Sequence, residues 1–210
     1  MGKKLVSETA DDENTMRDEL FEALSRESDR GLILVSASYL NDALERLLRA
    51  RFSMEHKKSK SMIDPLFNTF GPLSTFSSKI KISYAIDLIE RWVYRDLEIL
   101  RKLRNEFAHS IGPAVFDSDK VVKLTEKLVG ADHAVTVMER KKPEAVKLPK
   151  KQAAKKASKA DSKAIMERFR IIMTVSFIGG LFHFRTEHLG SDAPLVAKLS
   201  NLTAPELGKI

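Results

Sequence analysis

Arg104-Asn105-Glu106-Phe107-Ala108-His109 sets a permanent cation and a titratable imidazole five residues apart. A planar guanidinium can grip a phosphate or carboxylate through two parallel hydrogen bonds. An imidazole, which titrates near neutrality, can move a proton. Nowhere else does the chain look chemically arranged. The apolar residues around them predict a helix. Val93, Leu97, Leu100, Phe107 and Ile111 recur at steps of four, three, seven and four, the pattern of one helix face. At about 100° per residue, Arg104 is expected inside that face, between Val93 and Leu97. A charge buried there would need an anionic partner, and Glu45, Asp87, Glu90 or an acid from a neighbouring helix are the candidates. Gly112-Pro113 should stop the helix just past His109, leaving the imidazole in the last turn, where the helix dipole suits a basic residue. In one ideal helix, positions i and i+5 point about 140° apart. Convergence of Arg104 and His109 therefore needs a distorted helix end or a second copy across a two-fold axis, which predicts a homodimer.

The elements that must hold this stretch are also helical. Met16, Leu20 and Leu24 predict a helix from about Asn14 to Ser28. Ile33, Ala37, Leu40, Leu44 and Leu47 give a strong four-three repeat, with Asp29 as its expected N-cap. His56 to Ser61 reads as a solvated loop, and Asp64-Pro65 as the opening of a short turn or helix. Pro72 is expected at or near the first position of a helix through Leu73, Phe76, Ile80, Tyr84 and Leu88. A break near Glu90-Arg91 precedes the motif helix, expected from about Tyr94 to Ser110. Asp117 or Ser118 should cap another helix through Val121, Leu124 and Leu128. Residues Ala131 to Glu139, with Val135 and Val137 alternating with polar side chains, read as a short strand or irregular chain. A last, densely apolar helix is expected from Asp161 to about Glu187. The fold class is all-α, a single helical bundle.

The formal net charge of +7 over 210 residues is concentrated in one place. Between Glu139 and Lys163 there are nine lysines and Arg140 against Glu139, Glu144 and Asp161, which leaves the rest of the chain close to neutral. This segment carries Pro143 and Pro149, reads as low-complexity and is expected to be flexible. It is either a solvated linker or a sequence-independent nucleic-acid tether, with Lys141, Lys142, Lys150, Lys151, Lys155 and Lys156 as the phosphate contacts. No aromatic residue is interleaved, so base stacking is not expected of it. The predicted organisation is a flexible N-terminus (1–13), a helical core (14–138), the lysine-rich linker (139–163), an apolar helix packed back on the core (164–189) and a tail (190–210). With no cysteine, the chain offers no disulfide or thiolate metal site and fits a reducing compartment. The fourteen residues from Ile171 to Phe184 are too few to span a bilayer, so no membrane partner is expected and a cytoplasmic location is. His183 and His188 read as a core and a helix-end residue, and His56 and His133 stand isolated. No metal and no cofactor is expected. Asp87, Glu90, Asp96 and Glu98 read as helix-surface charges, with Glu98 pairing to Lys102 four residues on.

An Arg, an Asn, three residues and a His on a helix resemble the ribonuclease signature of HEPN domains, compact helical bundles that usually dimerise. A longer stretch, Gly71-Pro72-Leu73-Ser74-Thr75-Phe76-Ser77-Ser78-Lys79-Ile80-Lys81-Ile82 through Arg101-Lys102-Leu103-Arg104-Asn105-Glu106-Phe107-Ala108-His109, resembles the mannitol operon repressor (MltR) family, as does the apolar helix near Ile165 to Phe184. The lysine-rich insert and the basic balance depart from that family's pattern. The second resemblance implies a homo-oligomeric regulator of transcription that acts through protein or nucleic-acid contacts. The first implies metal-independent cleavage of RNA by its 2′-hydroxyl. His109 would then move a proton and Arg104 stabilise the phosphorane, with Asn105 beside them. A third reading is a non-catalytic interaction module in which Arg104 is a structural ion-pair residue.

Overall fold

A computed structural model describes residues 19–56, 60–109, 116, 118–141 and 159–189. The described residues form eight helices and no extended strand. They are α1 (19–26), α2 (Asp29–His56), α3 (Lys60–Phe67), α4 (Phe76–Ala85), α5 (Arg91–His109), α6 (Asp119–Thr125), α7 (Gly130–Lys141) and α8 (Lys159–His188). The two long helices α2 and α8 pack on each other, and α2 also receives α3, α4 and α5. The α7 helix lies on α8 and touches α5, while α6 bridges α5 and α8. Three helical stripes supply most of the core: Leu40, Leu44 and Leu47 from α2, Val93, Leu97, Leu100 and Phe107 from α5, and Ile171, Val175, Ile178 and Phe182 from α8. Each repeats at steps of three and four, so each helix turns one apolar face inward.

Several joints differ in detail from what local sequence predicts. Ser28, not Asp29, caps α2: its Oγ accepts from the Gly31 N–H at 3.0 Å. The Asp29 carboxylate instead reaches across the fold, taking hydrogen bonds from Arg168 of α8 and from the Phe116 amide. The α3 helix begins at Lys60 and carries Pro65 inside it. Ile63 and Phe67, four apart and both buried, hold this short helix against the core. Pro72 precedes α4 without entering it, because Thr75 is the cap, accepting from the Ser78 N–H at 3.1 Å. Gly71-Pro72-Leu73 forms a turn strapped to the end of α3, where the Leu73 N–H donates to the Leu66 carbonyl at 2.8 Å. A Cβ on Gly71 would stand 2.3 Å from the Pro65 carbonyl oxygen, so only glycine fits that approach. After α4, Asp87 takes a left-handed conformation (φ 55°), while its N–H and that of Leu88 return to the Tyr84 and Ser83 carbonyls. This is a Schellman closure with aspartate where glycine is usual.

Ala131 to Glu139 is neither strand nor irregular: it lies within α7. The helix is started by a contact from outside the segment, described below. Glu98 pairs with Arg101, three residues on, at 2.9 Å rather than with Lys102.

Charged side chains close the joints between helices. Lys79 of α4, almost fully buried, gives its ammonium to Glu45 at 2.6 Å and to Asn41 at 3.1 Å, both on α2. Glu45 also accepts from Arg49 at 2.8 Å, and Arg49 bonds Asp64 of α3 while stacking on the Phe67 ring at 4.2 Å. Burial pushes the Glu45 carboxyl up, but the bonds from Lys79 and Arg49 outweigh it and hold the group below its ordinary value. At the other end, Arg185 of α8 bonds the Leu88 carbonyl at 2.9 Å and pairs with Glu90. Removing one partner of such a pair costs more than removing both. Glu45→Gln, which leaves a buried ammonium short of its anion, is expected to lose about 2–3 kcal/mol in urea unfolding. Lys79→Met, which leaves Glu45 on Arg49, should lose under about 1 kcal/mol. Equal losses would show that desolvation of Lys79 does not govern this joint.

Candidate functional site

The rotation of α5 decides where its chemistry points. Asp96, Leu97, Leu100, Leu103 and Phe107 are buried along it. Val93, Leu100 and Phe107 recur every seven residues, as do Asp96 and Leu103, so the seam follows a 3.5-residue period. A straight helix drifts about 20° per heptad against such a seam. By the last two turns this drift has carried position 104 out of contact. Arg104 is exposed, not set into the apolar face, and its Nη1 donates to the Asn105 side-chain oxygen at 3.2 Å. The acids weighed as its partners are engaged elsewhere or displaced: Glu45 on Lys79, Glu90 on Arg185, and Asp87 in the left-handed turn.

Asp96 sets that rotation. Its carboxylate has no solvent exposure and accepts from the Gly130 N–H at 2.7 Å and the Val129 N–H at 3.2 Å. It therefore caps α7 from 33 residues away in sequence, at the helix end where a negative charge is favoured. Gly130 is pressed so closely that an added Cβ would lie 2.8 Å from Thr174 Cγ2 and 3.0 Å from Asp96 Oδ2. Asp96 is thus an interior anchor and not a surface charge.

His109 is the last residue of α5 and is exposed. It lines an open cleft of about 590 Å³ with Lys102, Asn105 and Glu106 of the same helix. The facing wall is Lys120, Lys123, Leu124 and Lys127, from α6 and the turn after it. Asn105 and His109 are thus brought together, while Arg104 stays outside the lining. Of the expected nucleic-acid contacts, Lys141 ends α7, and Lys142, Lys150, Lys151, Lys155 and Lys156 lie outside the described residues. So do the expected N-terminal segment 1–13 and the tail from 190. The four cleft lysines were missed by motif reading. The signal for three of them is the spacing i, i+3, i+7 of Lys120, Lys123 and Lys127, the first two on α6 and the third in the turn after it, while Lys102 carries none.

Two of the other histidines pack against aromatic rings, while His183, expected in the core, is only partly buried. His133 stacks on Trp92, with ring centres 4.4 Å apart, and burial pushes its imidazole below the ordinary value against the pull of Asp132 and Glu90. His188 stacks on Phe184, and its Nδ1 lies 2.8 Å from the Phe184 carbonyl oxygen. Among the described residues there is no group of three or more acidic or histidine side chains able to hold a metal. No helix among them is long and apolar enough to cross a membrane.

Comparison with known proteins decides the family. The family model described as "Mannitol repressor" matches residues 16–171, about three quarters of the chain. The chain belongs to the mannitol repressor family. It is 28% identical over 93 residues to the mannitol operon repressor of Escherichia coli K12, covering 44% of this chain and 48% of that protein. The same figures hold for the repressor of E. coli O6:H1. The chain thus spans about half the length of the curated relatives it matches. In three dimensions it is similar to a possible transcriptional regulator, YggD, from Shigella flexneri 2a, with TM-score 0.59, 15% identity, and 79% of this chain and 98% of that chain covered. It is also similar to a chain of the MtlR–HPr complex from E. coli, with TM-score 0.54, 22% identity and coverages of 82% and 98%. At these identities the structural likeness speaks for the fold. It extends the mannitol repressor bundle over most of the described helices.

The anchor of α5 carries a pH signature. Burial pushes the Asp96 carboxyl up to about 6, against the opposing hydrogen bonds from Gly130 and Val129. The folded value exceeds that of the unfolded chain, so the folded form holds a proton that the unfolded form releases. Stability from this group is complete below about pH 4 and is lost as pH rises through about 6, by roughly 3 kcal/mol for two units. Asp96→Asn is expected to flatten that part of the curve of urea midpoint against pH between 4 and 7. A variant curve parallel to the wild type would place the titration elsewhere.

Proposed function

We propose that this chain is a transcriptional regulator of the mannitol repressor type that acts through contact with a protein partner, in the cytoplasm, without turnover. The observation that carries this reading is family membership across residues 16–171. It is supported by the fold shared with the E. coli protein seen in complex with HPr. An HPr-like protein is accordingly the first partner to test. Titration of the purified chain with the HPr of its own host should give saturable heat and co-elution in size exclusion. Neither signal at concentrations suited to a weak, transient complex would remove the reading.

A second reading, a HEPN-like endoribonuclease, is favoured by one observation: Asn105 and His109 share a basic cleft, and Arg104 reaches Asn105. In it, His109 moves the proton and Arg104 stabilises phosphorane charge. The two side chains diverge along α5, so a composite site with a second copy belongs to this reading, and it would register as a dimer in sedimentation equilibrium. Single-stranded RNA should then be cut in EDTA by the wild type and left intact by His109→Ala. Because Arg104 and His109 are both exposed, their alanine variants should keep stability within about 0.5 kcal/mol. Cutting by wild type and variant alike would exclude the mechanism.

A further inference from the structure

The cleft between α5 and α6 has more charge than the motif explains. On α5 its lining follows positions 102, 105, 106 and 109, the i, i+3, i+4, i+7 stripe of one helix face, and the facing wall takes positions 120, 123 and 124 from α6 and 127 from the turn after it. Four lysines stand against a single acid, Glu106, which is paired with Lys120. That leaves Lys102, Lys123 and Lys127 exposed and without an ion pair among the described residues. Asp119 stands four residues before Lys123 and Glu126 three after it, so they reduce the charge around that lysine, but neither lines the cleft, where four lysines face the single acid Glu106.

We infer that this cleft is a groove for the phosphate backbone of single-stranded nucleic acid, engaged by Lys102, Lys123 and Lys127 without reading the bases. Four observations favour that occupant. A small ligand wants a concave site with pre-placed, desolvated polar groups. None of the buried side-chain polar atoms lacking a hydrogen bond belongs to this cleft. A protein partner wants an apolar or aromatic anchor at the centre of its contact, with few lysines, whereas Leu124 is the sole aliphatic lining residue here. A polyanion needs neither, since each phosphate contact gains affinity by releasing a condensed counterion. Lys120 and Lys123 stand about one turn apart on α6, and Lys127 continues the row in the turn that follows, so this wall can meet more than one phosphate of the same strand. The lysines stand on two facing walls, Lys102 on one and Lys123 and Lys127 on the other, and a flexible single strand can bring its phosphates to both. The lining has no Phe, Tyr or Trp, and the His109 imidazole is its one ring, so binding rests on the phosphates and not on a row of stacked bases. This inference goes beyond the partner-protein reading and does not depend on it.

The test measures binding of fluorescent rU20 and dT20 to the full-length protein from about 50 to 200 mM salt. A 20-base-pair duplex and polyglutamate serve as comparison probes. Three lysine contacts to a single strand correspond to a slope of about −2 in log affinity against log salt, or roughly twentyfold weaker binding across that range. The lysine-rich run at 139–163 adds its own share, so the decisive quantity is the change on substitution. Lys123→Gln/Lys127→Gln should flatten the slope by about 1.4 and Lys123→Arg/Lys127→Arg should preserve it, with circular dichroism unchanged in both. Lys102→Gln/Lys123→Gln should repeat the effect if the first pair fails to fold. An unaltered slope in the glutamine variants, or no binding by the wild type, overturns the inference. Polyglutamate binding as tightly as rU20 and losing as much in the variants would mark a generic anion surface and overturn it too. Tighter binding of the duplex would overturn the single-strand assignment.

Discussion

A carboxylate without access to water must find donors, and for Asp96 they lie at the first amides of α7. That requirement fixes two things at once. It starts α7 where the segment's own composition would not, and it clamps the roll of α5 about its axis. Once Asp96, Leu97, Leu100 and Leu103 face inward, Arg104 faces out, and Asn105, Glu106 and His109 form one wall of the cleft. The chemistry of the helix end is thus set by an interior contact two turns away. Gly130 belongs to the same device, because a side chain there would collide with Thr174 and with the carboxylate itself.

The same logic, repeated with other residues, joins the bundle. Lys79 ties α4 to α2 through Glu45, Arg168 ties α8 to the start of α2 through Asp29 and the Glu27 carbonyl, and Arg185 ties α8 to the turn before α5. Apolar stripes drive the helices together without selecting one register among several close alternatives. A buried ion pair contributes little net free energy, but the penalty for leaving either member unpaired makes a slipped register expensive. In this family member, specificity of packing is carried by a few charged joints laid over an ordinary aliphatic core.

That division explains what the sequence made legible. The apolar periodicities of α2, α5 and α8 are local properties and predicted the three core helices and the all-α class. Ser118, named as one of two candidate caps, does cap α6, with its Oγ accepting from the Val121 N–H. The errors fall where the deciding partner is remote. The alternation of Val135 and Val137 resembled a strand because the contact that begins α7 comes from Asp96. Asp96 looked like a surface acid because its donors lie more than thirty residues on. Arg104 was placed in the seam by ideal 100° spacing, whereas the real seam drifts. Glu98 pairs with Arg101, whose guanidinium gives it two part-buried hydrogen bonds, instead of with the exposed Lys102.

Net charge misled for a related reason. Outside the lysine-rich segment the chain is nearly neutral, so total charge does not call for a phosphate-binding surface on the fold. The acids that produce neutrality are not spread evenly. Glu45, Asp29 and Glu90 are consumed in the joints by Lys79, Arg168 and Arg185, cations that are buried (Lys79, Arg185) or partly buried (Arg168). What remains at the surface is segregated, and between α5 and α6 it is almost wholly cationic. A charge balance summed along a chain says little about the field over a cleft a few ångströms wide, because screening confines each surface charge to about 8–10 Å. The pairing pattern of the folded protein, and not its total charge, determines which cations are left to meet a partner.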